Sequence, residues 1–304
     1  MRLRRIALAG TFAVAVVALG AGCGSSNNES TTGNTLTAAN VSVQTDPSIA
    51  SQVPADVKSS GELTVAADAS YAPDEFFASD GKTVIGMDPD LARAIAGLMG
   101  LKAVVSNQTF NSIITGIAAK KYNLGMSSFT DEKSREKTVD FVTYATAGES
   151  FFVKADGGPT INSINDICGL KIGAEQGTTE ADDATAQSKK CTDAGKQAVA
   201  VSTFPDEAGV NVALSSGRVD AGFADTPVAL YAVKQSNGTF KSSPAAPIAN
   251  APYGIAMSKD SGLQQPVLAA VKKLMADGTY KQILDYWGLG EIAIDNPTIN
   301  GAID

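Results

Sequence analysis

Residues 114–128 read ITGIAAKKYNLGMSS, and residues 211–225, NVALSSGRVDAGFAD, repeat their layout. Each stretch runs from a helical pattern through a polar turn into a short apolar strand that ends in polar side chains. This alternation of helices and strands predicts an α/β protein with mainly parallel sheets. Ligands of open α/β sheets bind beyond the carboxyl ends of strands. Two such units therefore predict two lobes that face each other across a ligand cleft.

Patterns on either side of these stretches extend the alternation. Residues 63–67, LTVAA, predict a buried strand. Residues 88–100, DPDLARAIAGLMG, predict a helix that Asp88 caps and Gly100 ends. Helical stripes follow near the C-terminus, over residues 267–287. We expect them to pack back on the first lobe, because the N-terminal unit has few helices of its own to cover its sheet.

Composition limits the function classes. The chain has 304 residues, enough for two domains, and is 44% hydrophobic, which allows a packed core. Its net charge is −8, and removal of the first 22 residues leaves 21 basic against 32 acidic residues, or −11. With only 6% aromatic residues, so acidic a chain predicts no nucleic-acid partner. Histidine is absent, which excludes histidine-based triads and zinc sites. Carboxylate chemistry remains possible, but most enzyme functions are disfavoured, and we expect no enzyme activity, cofactor or metal.

The N-terminus resembles an export signal followed by a lipid anchor. Residues 1–22 have a basic start and a small, apolar centre that is short for a membrane span, as in a signal peptide. Cys23 follows LGAG, which is similar to a bacterial lipobox, although Gly20 stands where a large aliphatic residue is usual. We expect acylation of Cys23 on the extracytoplasmic face of the cell membrane; the alternative is a secreted protein with a free thiol. Residues 23–57 are rich in small polar residues and predict a flexible tether.

Two cysteines remain in the globular part, Cys168 and Cys191. An export signal implies an oxidising compartment, in which an even pair of cysteines is typically bridged. We expect one disulfide between them, with two buried thiols as the alternative.

The order of several motifs resembles the periplasmic amino-acid-binding proteins of ABC importers, notably the binders of lysine/arginine/ornithine, of histidine and of glutamine. The motifs are VAADASYAPDEF, GMDPDLARAIA, TFNSIITGI, MSSFTDEKSR, EQGTTE, SGRVDAGFADTP and ADGTYKQILDYWG, spread over residues 60–290. This resemblance implies a type II periplasmic-binding fold, in which two lobes joined by two hinge strands close around one ligand. It places lobe 1 at residues 58–150 and 250–304, and lobe 2 at residues 151–249.

The resemblance also implies a binding site. Arg135 falls where the family's arginine grips the ligand α-carboxylate, a task that suits a planar guanidinium fork. Asp225 matches the aspartate that receives the α-ammonium. Ser127, Ser128 and Thr130 match a hydroxyl cluster, and Gly177, Thr178 and Thr179 match the GTT start of a helix. Tyr71 and Phe110 match the two walls around the ligand side chain, and Asp68 matches an acid near its far end.

Three acids depart from the family pattern and bear on the ligand. Asp74 stands where an aromatic residue is usual, Glu175 where an apolar residue is common, and Glu180 where some relatives have glutamine. With Asp68 retained, acids outnumber the one that the α-ammonium needs, and unpaired buried carboxylates are costly. A basic ligand such as arginine, lysine or ornithine resolves this excess, and we expect Glu180 among its contacts. If these acids instead face solvent or pair with lysines, a neutral polar ligand such as glutamine fits as well.

Each site residue also has a plainer interpretation. Thr130 can cap a helix whose first turn, residues 131–133, is solvated. Arg135 can form a surface ion pair, and Phe110 can belong to the core. Asp225 can cap the helix that follows it. Order and spacing together favour the binding site.

The expected function is capture of a polar or basic amino acid outside the cell and its delivery, by a monomeric lipid-anchored protein, to an ABC permease. Two alternatives belong to other classes. A signalling receptor would bind the same ligand and pass it to a sensor partner. An enzyme similar to cyclohexadienyl dehydratases would use the same fold for chemistry.

Overall fold

The structure, a computed structural model, describes residues 34–35 and 41–303. The expected signal peptide over residues 1–22 and the expected acylation site at Cys23 lie outside these described residues. Within the described part, no helix combines the length and apolar character that a membrane span requires.

Strands and helices alternate along the described chain. The strands are β1 (Asn34–Thr35), β2 (Ser42–Val43), β3 (Glu62–Ala67), β4 (Ser70–Tyr71), β5 (Glu75–Phe77), β6 (Val84–Ile85), β7 (Lys102–Asn107), β8 (Leu124–Gly125), β9 (Val139–Lys154), β10 (Lys171–Glu175), β11 (Ala200–Phe204), β12 (Ala221–Asp225), β13 (Phe240–Ser242) and β14 (Ile248–Ser258). The helices are α1 (Pro47–Ala50), α2 (Ala55–Ser60), α3 (Met87–Leu98), α4 (Phe110–Ala118), α5 (Lys133–Glu136), α6 (Thr179–Asp193), α7 (Glu207–Ser215), α8 (Thr226–Gln235), α9 (Gln264–Ala276) and α10 (Thr279–Trp287), with short 3-10 turns at Ile164–Ile167 and Gly290–Ile292.

One sheet runs through both lobes in the order β11-β10-β12-β9-β14-β8-β3-β7, with β13 also paired to β9. Within each lobe the central strand has parallel neighbours, β3 between β7 and β8, and β10 between β11 and β12. The long strands β9 and β14 run antiparallel between these two groups. The first part of β9 pairs with β14 and its last part with β12, so β9 and β14 are the hinge strands. The predicted two-lobe α/β fold is confirmed.

The C-terminal helices pack on the first lobe, as predicted. Val267 and Val271 of α9 lie in the same buried cluster as Leu91 and Ile95 of α3. Tyr280 of α10 is buried with them, and its hydroxyl donates to the backbone carbonyl of β9. The predicted lobe boundaries, at residues 150/151 and 249/250, fall within β9 and β14; their exact positions stay a prediction.

The chain ahead of β3 differs from the flexible tether predicted over residues 23–57. Residues 41–57 contain β2, α1 and the start of α2, and Asp46 caps α1 by accepting the Ser48 N–H at 2.9 Å. Their apolar side chains are buried in the first-lobe core: Val41, Val43, Ile49, Val53 and Val57. The tether prediction is therefore wrong for residues 41–57, because spaced apolar residues inside a polar composition anchor this segment.

Helix α3 starts differently from the prediction. It begins at Met87, after Gly86, and Asp88 does not cap it. Asp88 is completely buried, and its carboxylate accepts the Ser128 N–H at 3.0 Å and the Tyr144 hydroxyl at 2.7 Å. The helix ends as predicted at Gly100, which has a positive φ of 72°.

The predicted disulfide is confirmed. Cys168 and Cys191 are bonded, with their Cα atoms 5.6 Å apart. The bridge ties the end of the 3-10 turn at Ile164–Ile167, just before β10, to the last part of α6.

Candidate functional site

A narrow cavity lies between the lobes. Both lobes line it: Tyr71, Phe110, Ser127, Ser128, Thr130 and Arg135 from the first, and Glu175, Thr178, Thr179, Glu180 and Asp225 from the second. The structure thus brings together every predicted binding-site residue except Asp68 and Gly177, and it adds Glu175 to the lining. Their contact with a ligand stays a prediction.

Strand ends place these side chains, as the internal repeat predicted. Ser127 and Ser128 follow β8, and Asp225 is the last residue of β12. Ser128 has a positive φ of 49°, and this turn directs its backbone N–H toward Asp88. Thr178 is the N-cap of α6, with its hydroxyl accepting the Ala181 N–H at 3.3 Å, so the start of a long helix faces the cavity.

The Arg135 guanidinium joins the two lobes. Its Nη1 donates to the Thr130 carbonyl at 2.9 Å, and its Nη2 donates across the cleft to the Gly177 carbonyl at 3.0 Å. Its Nε pairs with Glu132 at 3.0 Å. A guanidinium has five N–H groups, so each terminal nitrogen keeps a second donor beyond these bonds. The side chain is only 12% exposed, which makes this more than a surface ion pair.

Tyr71 and Asp225 form a second contact between the lobes. The Tyr71 hydroxyl donates to Asp225 Oδ2 at 3.0 Å and accepts the Asp225 N–H at 3.0 Å. The sequence predicted Tyr71 only as a wall and missed this role of its hydroxyl. Burial, followed by the charges of Glu180 and Asp74, raises the pKa of Asp225 well above its usual value. The Asp225 side chain makes no capping bond to α8, so the capping interpretation is wrong.

The other wall, Phe110, is held from behind. Its ring stacks on Phe129 with centroids 4.5 Å apart. Asp68 accepts the Phe110 N–H at 3.0 Å and the Ser70 N–H at 3.2 Å, while its own N–H donates to Ser127 Oγ at 2.9 Å. Asp68 therefore lies outside the cavity lining and fixes the wall and a hydroxyl in place. A ligand contact for Asp68 remains a prediction.

The three acids that depart from the family pattern are all buried. Asp74, Glu175 and Glu180 are 0%, 2% and 2% exposed, so the interpretation that they face solvent is wrong. Glu175 and Glu180 line the cavity, whereas Asp74 lies behind Ser128 and accepts its hydroxyl at 2.8 Å. Each keeps one carboxylate oxygen without a hydrogen-bond partner in the described part of the chain. Burial raises the pKa of Glu180 to about 7, that of Asp74 to about 8 and that of Glu175 well above its usual value.

Glu75 and Glu207 are among the buried acids that the sequence analysis missed. Glu75 is completely buried and accepts the Ser127 hydroxyl at 2.6 Å. Glu207 is 1% exposed and begins α7, with its N–H donating to Ser70 Oγ at 3.1 Å. The available signal for Glu207 was an acid shortly after an apolar strand of the second lobe, the same arrangement that pointed to Asp225.

The segment after Ser128 also differs from its prediction. Thr130 does not start a helix; it forms a β-bridge with Tyr253, and its hydroxyl lies 3.5 Å from the Thr179 hydroxyl across the cleft. Asp131 is 1% exposed and accepts the Gly301 N–H at 2.7 Å. The prediction of a solvated first turn is wrong for Asp131, because the C-terminal segment covers it.

The arrangement suits a zwitterion. The Arg135 guanidinium, the Thr130 hydroxyl and the start of α6 lie together at the cavity, where they can receive a carboxylate. The carboxylates of Glu175, Glu180 and Asp225 supply acceptors for cationic groups. Among the described residues, no cluster of acids and cysteines has the geometry to hold a metal ion.

Comparison with known proteins gives one family and several relatives. The bacterial extracellular solute-binding proteins, family 3, match residues 63–290. The chain is 33% identical over 255 residues to the arginine-binding protein ArgT of Corynebacterium glutamicum, a match that covers 84% of this chain and 83% of that protein.

Solved structures agree with this result. An ancestral arginine-binding protein bound to arginine is 34% identical with a TM-score of 0.68, over 75% of this chain and 98% of that one; its glutamine-bound structure has a TM-score of 0.67. AncCDT-1, an ancestral amino-acid-binding protein and a precursor of cyclohexadienyl dehydratase, is 31% identical with a TM-score of 0.68, over 76% of this chain and 97% of that one.

Proposed function

This chain belongs to the bacterial extracellular solute-binding proteins, family 3, and from that premise we propose that it captures a basic L-amino acid, arginine first, for an ABC importer. Lysine and ornithine are the next ligands, followed by glutamine. Relatives named for arginine binding support the choice of arginine. The chain acts as a binding protein: closure of the lobes holds the ligand, and no bond is made or broken.

The observation that carries the proposal is the excess of buried acids at the cavity. Pairing of the ligand α-carboxylate with Arg135 and of its α-ammonium with Asp225 leaves Glu175 and Glu180. Each of these two acids has an unpartnered, buried oxygen in the described part of the chain. A neutral side chain would leave such carboxylates unpaired, which is unfavourable, whereas a guanidinium or ammonium supplies both charge and donors.

Titration calorimetry with arginine and citrulline tests this ligand class, because citrulline has the same shape without the charge. We expect arginine to bind at least ~10-fold more tightly, since a hydrogen bond to a charged partner contributes about 1.5–3 kcal/mol. The Glu175→Gln variant removes one cavity charge and should reduce the ratio of arginine affinity to citrulline affinity. Equal affinities for the two ligands would contradict the basic-ligand proposal. Failure of every amino acid to bind would contradict amino-acid binding itself.

Anchoring and delivery are proposed from the Cys23 motif and from the family. Cys23→Ser should release the protein from the membrane into the medium, as fractionation and blotting would detect. Deletion of the protein should abolish high-affinity uptake of radiolabelled arginine. Retention of full uptake would instead favour the receptor for a signalling partner.

Similarity to AncCDT-1 is the observation that favours a second candidate, a dehydratase on the same fold. We propose binding without turnover, because the predicted residues for an α-amino and α-carboxyl clamp line the cavity together. Incubation with arogenate or prephenate and analysis of products tests the choice. Catalytic formation of product would replace the binding proposal with the enzymatic one.

A further inference from the structure

Glu207 carries the least satisfied carboxylate near the cleft. The residue is 1% exposed, and neither of its carboxylate oxygens has a hydrogen-bond partner in the described part of the chain. Glu180 and Asp225, by contrast, each bond through one oxygen, to Thr179 at 3.4 Å and to Tyr71 at 3.0 Å. A buried carboxylate without donors is strongly unfavourable. A ligand that donates hydrogen bonds to this carboxylate would remove that unfavourable term.

The local structure holds Glu207 without using its carboxylate. Asp206 caps α7 by accepting the Gly209 N–H at 2.7 Å, so capping does not require Glu207. The Glu207 N–H donates to Ser70 Oγ in the first lobe at 3.1 Å. Ser70 directly precedes Tyr71, the wall whose hydroxyl reaches Asp225. The closed lobes thus place Glu207 beside the Tyr71 wall.

Charge interactions connect Glu207 with the cavity acids. Burial, and then the charge of Glu180, raises the pKa of Glu207 well above its usual value. The pKa of Glu175 is raised by burial, by Asp68 and then by Glu207 itself. Glu207 is therefore within electrostatic reach of Glu175 and Glu180, which both line the cavity.

A second pocket shows where Glu207 lies relative to the ligand cavity. Glu207 borders this second pocket, which Ser70 and Ala72 also line, whereas Tyr71 lines the ligand cavity. The Ser70–Ala72 segment thus lies between the two spaces, and Glu207 lines the second one.

We propose that Glu207, together with Glu175, forms the subsite for the distal cation of the ligand side chain, an inference that rests on the proposed function. The guanidinium of arginine carries five N–H donors in a plane and can supply both oxygens of Glu207. Glu207 is then a specificity-determining residue that favours a charged side chain over a neutral one of the same length.

The test measures the affinities of two ligands for three proteins by calorimetry. Arginine and citrulline are titrated into the full chain, its Glu207→Gln variant and its Asp206→Asn variant. Asp206→Asn is the matched control, because it removes one negative charge at the neighbouring position and asparagine still caps a helix. We expect Glu207→Gln to weaken arginine binding at least ~10-fold and to change citrulline binding less than about twofold, as the loss of charged hydrogen bonds predicts. Asp206→Asn should change both affinities only slightly.

Stability without ligand provides a second readout. Glu207→Gln replaces an unpartnered buried carboxylate with a neutral amide, so the ligand-free variant should melt at the same or a higher temperature than the unmodified chain. The melting-temperature shift produced by arginine should nevertheless become smaller.

The outcomes separate this inference from the proposed function. An unchanged arginine-to-citrulline ratio in Glu207→Gln would overturn the subsite while leaving amino-acid binding intact. Equal weakening of both ligands would make Glu207 a structural residue and overturn the subsite as well. An equal effect of Asp206→Asn would replace the subsite with a long-range effect of charge. Failure of the unmodified chain to bind any amino acid would overturn the proposed function itself.

Discussion

Tyr71→Phe removes one oxygen atom from the contact between the lobes and leaves the aromatic wall in place. The deleted hydroxyl donates to Asp225 Oδ2 and accepts the Asp225 N–H, both at 3.0 Å. Both atoms of Asp225 belong to the second lobe, whereas Tyr71 belongs to the first. The substitution should therefore destabilise the closed arrangement without a comparable effect on either lobe alone.

The size of the effect follows from the two bonds. The bond to the carboxylate contributes about 1.5–3 kcal/mol, and the neutral bond from the backbone N–H about 0.5–1.5 kcal/mol. Their loss should destabilise the closed state by about 2–4 kcal/mol, which corresponds to roughly 30- to 1,000-fold weaker ligand binding when closure accompanies binding. Calorimetry with arginine measures this change, and small-angle scattering should show a more open ligand-free variant.

Tyr144→Phe is the matched control. It deletes the same atom from another buried tyrosine, whose hydroxyl donates to Asp88 at 2.7 Å inside the first lobe. This control should lower the melting temperature but change arginine affinity only slightly, because its bond does not cross the cleft. If Tyr71→Phe binds arginine within about twofold of the unmodified chain, far below the expected loss of two bonds, the coupling of this contact to closure is refuted.

Three further predictions concern pH, the guanidinium and the disulfide. Burial raises the pKa of Glu180 to about 7, so stability from its protonated form is fully present below pH 4.5 and is lost as pH rises through 7. Affinity for arginine should rise as pH increases, by up to about tenfold per pH unit below pH 7, because one proton leaves Glu180. Thermal melts from pH 5 to 8 check the loss of stability, and calorimetry over the same range checks the gain in affinity. Arg135→Lys keeps the charge but loses the fork that reaches the Gly177 carbonyl, and calorimetry should show about 10- to 100-fold weaker binding. Replacement of Cys168 and Cys191, 23 positions apart, by alanine should lower the free energy of unfolding by about 3 kcal/mol in denaturant titrations.

Sequence patterns predicted the fold where the signal is local. Strand β8 and strand β12 could be predicted, together with the polar residues at their ends, because an apolar run, a turn and a hydroxyl or acid follow one another within a few residues. The hinge strands came from the resemblance to a family, since nothing in the composition of β9 reveals that it pairs with both lobes. The segment of residues 41–57 was wrongly predicted as a tether, because its buried apolar residues are separated by polar ones.

The burial and the hydrogen-bond partners of individual acids were harder to predict. Asp88 and Asp131 both stand near helix starts, where local rules favour capping or solvation. Asp88 is instead buried by Tyr144, 56 positions away, and Asp131 by Gly301, 170 positions away. Such partners are set by the tertiary fold, and a single sequence contains no local trace of them. Glu207 had a local signal, an acid shortly after an apolar strand, but its contact with Ser70, 137 positions away, had none.

The buried acids beneath the cleft determine whether the cleft serines can donate or only accept hydrogen bonds. Ser127 Oγ donates to Glu75, and Ser128 Oγ donates to Asp74, so both hydroxyls direct their hydrogens away from the cavity and offer it only lone pairs. Burial and the charge of Asp88 raise the pKa of Asp74 to about 8. Near neutral pH a protonated Asp74 can itself donate to Ser128, which frees the Ser128 hydrogen for a ligand carboxylate. The protonation of Asp74, which lies outside the cavity lining, therefore sets whether the Ser128 hydroxyl offers the cavity a donor or only an acceptor.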